Sequence, residues 1–219
     1  MAAVGNEEYA AFIKKNANTS LTVLGVRMPD LRKIVKARVK SLPAVELVEL
    51  ISVIDKAIFE EVMFVGMAID GGKYSDDERH DLLEKYLALC DCWSAIDIFA
   101  TRGGTKYSSP FWFNYAASKL TAKNEFTVRF GIVLLMANFL TPEYIDRVFA
   151  ALRTVSHEGY YAKIALAWLY AEAALNFYER TLSEVKAQSK WVRNKALQKM
   201  TESRRFTGER KAEIRSLKA

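Results

Sequence analysis

Two side chains of opposite character stand four residues apart in the segment Cys92-Trp-Ser-Ala-Ile-Asp97. This spacing places Trp93 and Asp97 on one face of a helix. A carboxylate there can stabilise positive charge developing on a sugar ring or orient an attacking water, and an indole can pack on a sugar or hold a cationic group. The same pair is also typical of an ordinary amphipathic helix, with the tryptophan in the core and the aspartate in solvent. Both interpretations stay open.

Arg129 is the only charged residue between Glu125 and Glu143, in an otherwise apolar segment. Burying a guanidinium is costly unless a partner compensates its charge. Two kinds of partner are chemically suitable: an internal carboxylate such as Asp97, or a phosphate bound in a groove.

Trp168 belongs to a further apolar segment that carries a polar group at helical spacing. Tyr161 lies seven residues before it and Glu172 four residues after it, so the three side chains share a face. The pattern predicts either a core aromatic cluster or the wall of a site. Trp112 and Trp191 lack such a combination, and we expect them to be structural.

Other familiar chemistry has little support. His80 and His157 are isolated, and we expect them at the surface or at helix caps. Cys90-x-Cys92 lacks the spacing of redox or zinc motifs, which favours buried thiols. The glycine-rich segments 71–73 and 102–106 lack P-loop spacing and predict turns, the second of which could donate to a phosphate of the partner. We expect no metal and no organic cofactor.

The composition is that of a folded, globular chain. Hydrophobic residues make up 51% and charged residues 26% of the 219 positions, which excludes a disordered protein. No apolar run approaches the roughly 20 residues that span a bilayer, and residues 1–10 do not resemble a signal peptide. With only two cysteines, we expect a cytoplasmic monomer with reduced thiols, folded as a single domain over residues 1–219.

Positive charge is concentrated in two segments. Residues 186–219 carry eleven Lys and Arg against three Glu, and residues 27–40 carry six basic residues against Asp30. Such clustering indicates a polyanion partner, although solvated helix faces would give the same pattern. Lys163 lies about 140° around its helix from Trp168, which suits a backbone contact better than an attacking amine. The residues predicted to contact such a polyanion are Arg27, Arg32, Lys33, Lys36, Lys163, Lys190, Arg193 and Lys195.

Helical signals run along the whole chain and strand signals are nearly absent. Pro29, Pro43, Pro110 and Pro142 stand where helices should begin, and the sequence Ser75-Asp-Asp-Glu78 has the spacing of a capping box. These helix-start signals and the glycines between them predict about a dozen short helices of roughly 8–17 residues each.

Residues 44–54, 126–140 and 160–175 contain few polar side chains, so these helices should have neighbours on both sides. Buried helices that alternate with amphipathic ones predict an all-α, curved solenoid of HEAT-like antiparallel helix pairs, with degenerate units of about 40 residues. A compact irregular bundle is the alternative.

Several segments resemble the HEAT-like DNA alkylation repair glycosylases, and they occur along the chain in the family's order. They are Gly25-Val-Arg-Met-Pro-Asp-Leu-Arg-Lys-Ile-Val-Lys36, Trp93-x-x-x-Asp97, Val128-Arg129-Phe-Gly-Ile, Tyr161-Ala-Lys-Ile-Ala-Leu-Ala-Trp168 and Asn194-Lys-Ala-Leu-Gln-Lys-Met-Thr-Glu-Ser203. The resemblance covers nearly the whole chain. It departs from the family pattern at Val128, where the family has a second arginine.

The resemblance implies a concave DNA-binding face with a cleft of two tryptophans and an aspartate. Matched by motif, those roles fall on Trp93, Trp168 and Asp97, with Arg129 contacting the DNA backbone near the lesion. It also implies hydrolysis of the N-glycosidic bond of cationic purines such as 3-methyladenine and 7-methylguanine, without a cofactor. Duplex DNA with alkylated bases is the implied partner.

Two further functions suit the same residues. A non-catalytic DNA binder of this fold would bind in a salt-sensitive way without releasing a base. A HEAT-type scaffold for protein partners would not bind DNA at physiological salt. Base release from methylated duplex DNA separates the first hypothesis from both.

Overall fold

The computed structural model describes residues 5–54, 57–100 and 106–217, and its regular structure is helical. These residues form thirteen α-helices, and their only β pairing is a single bridge between Thr22 and Ile58. The predicted all-α class is confirmed. None of the described helices is long and apolar enough to cross a membrane.

The chain divides into two compact units, Met1–Ile98 and Phe99–Ala219. The first contains α1 (Glu7–Ala17), α2 (Met28–Val39), α3 (Ala44–Val53), α4 (Phe59–Gly71), α5 (Asp76–Leu87) and α6 (Trp93–Ile96). The second contains α7 (Pro110–Ser118), α8 (Glu125–Asn138), α9 (Ile145–Leu152), α10 (Tyr160–Ala173), α11 (Tyr178–Lys186), α12 (Lys190–Glu202) and α13 (Gly208–Ser216). Short 3₁₀ turns follow α6 (Asp97–Ala100) and α7 (Lys119–Thr121).

Most predicted helix starts are confirmed. Pro29 lies in the first turn of α2, Pro110 opens α7, and Ser75 forms the expected capping box with Glu78 at the start of α5. Helix α9 is the exception, since it begins three residues after Pro142. The intervening residues form a turn that leads into the helix, so proline marks the turn here and not the first helical residue.

Two of the three apolar helices are buried as predicted. In α8 every residue of 128–136 is buried, and most of α10 is buried as well. The prediction was wrong for α3, where only Leu47 and Ile51 are buried while Val45 and Val53 are 64% and 76% exposed. The reason is that α3 packs mainly against α5, so a single apolar stripe meets its packing needs.

Helices α8, α10 and α12 of the second unit lie side by side and run in the same direction. At their N-terminal ends, Glu125 of α8 accepts a hydrogen bond from the Tyr161 backbone of α10, whose Tyr160 ring contacts Trp191 of α12 at 5.8 Å between centroids. Near their C-terminal ends, Met136 of α8 and Glu172 of α10 line the same cleft. This row is the framework of the second unit. The solenoid arrangement and the single-domain extent stay predictions.

A buried carboxylate fixes the loop that leads into α2. Glu60 is 1% exposed and accepts hydrogen bonds from the backbone N–H groups of Leu24, Gly25 and Val26 at 2.9, 2.8 and 3.2 Å. Gly25 has φ +80°, and a Cβ atom there would collide with the carbonyl oxygen of Asn6. This loop therefore needs glycine, and it sets where the basic helix α2 begins.

Candidate functional site

Trp93 is the first residue of α6, and Asp97 directly follows this four-residue helix. The backbone N–H of Asp97 donates to the carbonyl of Trp93, which closes the single turn between them. Both side chains are partly exposed. The indole Nε1 of Trp93 donates to the carbonyl oxygen of Asn16 at 3.0 Å, which ties α6 to the end of α1. The tryptophan is therefore held in place against the end of α1.

Hydrogen bonds to distant residues hold α6 and the segment before it. Asp91 accepts hydrogen bonds from the Thr19 hydroxyl and from the backbone N–H of Ser20, each at 2.7 Å. The buried Tyr86 hydroxyl donates to the carbonyl of Ala95 at 3.0 Å. A four-residue helix is not stable by itself, so these long-range hydrogen bonds hold Trp93 and Asp97 in position.

Cys90 and Cys92 are buried free thiols, as predicted. Burial raises the pKa of both thiols above the usual cysteine range, and for Cys90 the shift is large. A thiol that stays protonated is a poor nucleophile. The cysteines next to Trp93 are thus part of the packing beneath α6.

Arg129 is 4% exposed and reaches from α8 to the start of α10. Its Nη1 donates to the carbonyl oxygen of Tyr161 at 3.0 Å, while Glu125 accepts from the N–H of the same residue. The two charged side chains lie one helical turn apart on α8, and together they hold the backbone of Tyr161. Asp97 and Arg129 belong to different units, and both partners proposed for Arg129 from the sequence stay predictions.

Trp168 is partly exposed on α10 and its indole is oriented by a neighbouring carboxylate. The Nε1 atom donates to Glu172 Oε1 at 3.2 Å, which confirms the shared face for these two residues. Glu172, with a side chain 9% exposed, also pairs with Arg205 from the turn after α12. Open clefts of about 280 and 420 Å³ adjoin this pair. Trp168 lines the smaller one, so it belongs to a cleft wall and not to a closed core cluster.

The basic residues predicted on α2 are at the surface. Arg27, Arg32, Lys33 and Lys36 are all exposed. The Arg27 guanidinium lies 5.7 Å from the centre of the Tyr9 ring, and Lys33 forms an ion pair with Asp30 at 3.1 Å. Such exposed pairs contribute little to stability. Because the four side chains are exposed, their charges are accessible to an anion.

The basic residues predicted on α10 and α12 divide between two sides of α12. Lys190 and Lys195 line one cleft together with Trp191, whereas Arg193 lines a different, apolar cleft formed with α11 and the end of α13. Lys163 lies over the Trp191 ring at 5.3 Å and pairs with Glu158 at 3.1 Å. The structure therefore groups Lys163, Lys190 and Lys195 and places Arg193 away from them.

The isolated histidines have local roles, as expected. His80 contacts Asp81 and Glu84 at the surface of α5, and His157 accepts a hydrogen bond from the N–H of Gly159. Within the described ranges, no group of three His, Cys, Asp or Glu residues is placed to hold a metal. Of the predicted phosphate-donating turn at residues 102–106, residues 102–105 lie outside the described residues.

Sequence reasoning missed two residues of these clefts. Arg205 could not be found, because its contact with Glu172 spans 33 positions and follows no helical spacing. Trp191 carries a usable signal: Lys195 follows it by four residues, which places an indole and an ammonium on one face of α12. Trp112, by contrast, is 0% exposed and structural, as predicted.

The described side chains can stabilise positive charge and bind anions. Asp97 of the first unit is partly exposed, and the second unit has a partly exposed Trp168 and a cleft lined by Lys190 and Lys195. A carboxylate can stabilise a developing positive charge, and lysine ammonium groups can bind an anion.

Comparison with known proteins gives one finding on the family. A family model described as "DNA alkylation repair enzyme" matches residues 1–200 of the chain. Neither the curated proteins nor the solved structures contain a significant match.

Proposed function

The chain belongs to the DNA alkylation repair enzyme family, and from this premise we propose that it is a monofunctional DNA glycosylase. Its substrate would be duplex DNA that contains a cationic alkylated purine, such as 3-methyladenine or 7-methylguanine. The observation that carries the proposal is the pairing of a partly exposed carboxylate and an indole on one turn, at Asp97 and Trp93.

The proposed reaction needs only modest help from the protein. The C1′–N bond breaks with its electron pair passing to the purine, which leaves as a neutral base because it began as a cation. Positive charge then develops on the deoxyribose, where the Asp97 carboxylate stabilises it. Water adds to C1′, and its proton passes to solvent. No covalent intermediate with the enzyme is required.

The remaining proposed roles follow from where each side chain is held. Trp93 and Trp168 would pack against the deoxyribose, each with its indole nitrogen already engaged in a hydrogen bond. Arg129 would contact a phosphate near the lesion. The exposed cations of α2 and the lysines at α10 and α12 would hold the flanking backbone. A second role, binding without excision, would use the same residues except Asp97.

Purine release from methylated duplex DNA by the purified protein tests the proposal. Asp97→Asn keeps the size of the side chain and removes its charge, so we expect base release to fall by about 100-fold, a loss of about 2.7 kcal/mol of transition-state stabilisation. Asp146→Asn is the matched control, since that carboxylate is 77% exposed on α9. Release that is undetectable in the wild type, or undiminished in Asp97→Asn, would overturn the assignment.

A further inference from the structure

We propose that the open cleft on the N-terminal half of α12, where Tyr160 and Lys163 of α10 contact the Trp191 ring, binds an unstacked nucleotide. Its base would lie on the Trp191 indole and its phosphates on Lys190 and Lys195. The inference extends the proposed function by naming a second nucleic-acid site. It rests on DNA being the partner and does not require base excision.

The Trp191 ring is held in position by side chains of α10. The exposed Tyr160 ring meets it edge-on, at 5.8 Å between centroids and 73° between planes. The Lys163 ammonium lies 5.3 Å from its centre. A ring fixed in this way loses little freedom when a ligand stacks on it, which favours binding.

The indole also forms part of the wall of an open cleft of about 390 Å³. The other lining residues are Lys190, Asn194, Lys195 and Gln198, none of which is acidic. Lys190, Asn194 and Gln198 form one i, i+4 row of α12, and Trp191 and Lys195 form the adjacent row. The cleft therefore combines an aromatic surface with a cationic and amide rim.

Lys190 and Lys195 keep their charge available. Over the part of the chain that the structure describes, neither lysine forms an ion pair, and Lys195 Nζ only donates to Gln198 Oε1 at 3.0 Å. The nearby carboxylate Glu158 is engaged with Lys163 at 3.1 Å. An incoming phosphate would thus meet two ammonium groups without displacing a protein carboxylate from either of them.

This combination selects an unstacked nucleotide over other anions. A base inside a duplex has both faces covered by its neighbours, so only an unstacked base can offer a face to the indole. Aromatic platforms flanked by cations are the usual means of binding single strands without sequence preference. An acidic peptide would satisfy the lysines but leave the indole unused.

Two labelled probes, each ten units long, distinguish the contribution of the base to binding from that of the phosphates. One is oligothymidylate, and the other has the same phosphates but abasic tetrahydrofuran units in place of nucleosides. Fluorescence anisotropy with the full chain should show wild-type protein binding oligothymidylate about tenfold more tightly, the effect of one base–aromatic stack. Trp191→Leu should abolish this preference and Trp191→Phe should keep most of it. Lys190→Ala with Lys195→Ala should weaken binding of both probes and lower the salt dependence.

Three results would overturn the proposal: equal wild-type affinity for the two probes, a preference that survives Trp191→Leu, or equally strong competition by oligoglutamate of the same charge. Circular dichroism of each variant, together with the aromatic control Trp191→Phe, separates loss of the platform from loss of the fold. Neither probe contains an alkylated purine. The outcome is therefore independent of base release, and failure of one proposal leaves the other standing.

Discussion

The guanidinium of Arg129 donates a 3.0 Å hydrogen bond to the backbone carbonyl of Tyr161, across the contact between α8 and α10. The bond is formed by a side chain that is only 4% exposed. Part of the desolvation cost of this charge is thus met by a main-chain acceptor. It follows that Arg129 positions the helix that carries Trp168, in addition to any contact it makes with a phosphate.

Arg129→Met tests the positioning role, because methionine fills similar space without a donor. A hydrogen bond to a charged group contributes about 1.5–3 kcal/mol, and we expect the free energy of unfolding in urea to fall by that amount. Arg215→Met on α13, where the side chain is exposed, should change it by less than about 0.5 kcal/mol. Equal values for the two variants would show that the bond to Tyr161 does not stabilise the fold.

Glu172 should act on base release through the orientation of Trp168. Glu172→Gln keeps an oxygen that can accept from the indole, and we expect its rate to stay within about threefold of wild type. Glu172→Ala removes the acceptor, and its single-turnover rate should fall about tenfold, or ~1.4 kcal/mol. Glu179→Ala, at an exposed carboxylate of α11, is the control. Identical rates for the alanine and glutamine variants would exclude the hydrogen bond as the cause.

Gly25→Ala should destabilise the first unit. The residue has φ +80° and its Cβ would meet the backbone of Asn6, so we expect a loss of at least ~1 kcal/mol in the free energy of unfolding. Gly208→Ala provides the contrast: nothing lies within 4 Å of a Cβ there, and a helical alanine is favoured by up to ~1 kcal/mol. Similar melting temperatures for the two variants would contradict this account.

Because Cys90 and Cys92 are buried, we expect the free energy of unfolding to depend on pH in the alkaline range. Burial raises the pKa of Cys90 and Cys92 in the folded state, whereas the unfolded chain ionises near pH 8.5. Below that pH both states are protonated and the thiols contribute no slope. Above it the unfolded state loses protons first, so stability should fall as pH rises. Cys90→Ala/Cys92→Ala should flatten this part of the profile, and an unchanged slope would assign it to other groups.

Local patterns in the sequence predicted the parts of the site that are local in the structure. The Trp93–Asp97 turn, the Trp168–Glu172 hydrogen bond and the capping box at Ser75 all follow from spacings of three or four residues. These contacts follow from helix geometry once the helix has formed, so their spacing can be read from the sequence.

Contacts between distant segments were beyond such reasoning. Glu60 meets Leu24–Val26 across 34–36 positions, and Arg205 meets Glu172 across 33. Composition also misled at α3, since an apolar sequence shows that burial is possible but not how many neighbours a helix has. Whether Trp93, Asp97, Arg129 and Trp168 converge on one cleft stays a prediction for the same reason.

The ion pair between Glu172 and Arg205 has a consequence for how short the chain can be made. A polypeptide trimmed to the 200 residues that the family model matches would retain Trp168 and Glu172. It would lose Arg205 and all of α13, and with them a cationic partner of a carboxylate that is 9% exposed. The minimal functional fragment should therefore extend past the family match.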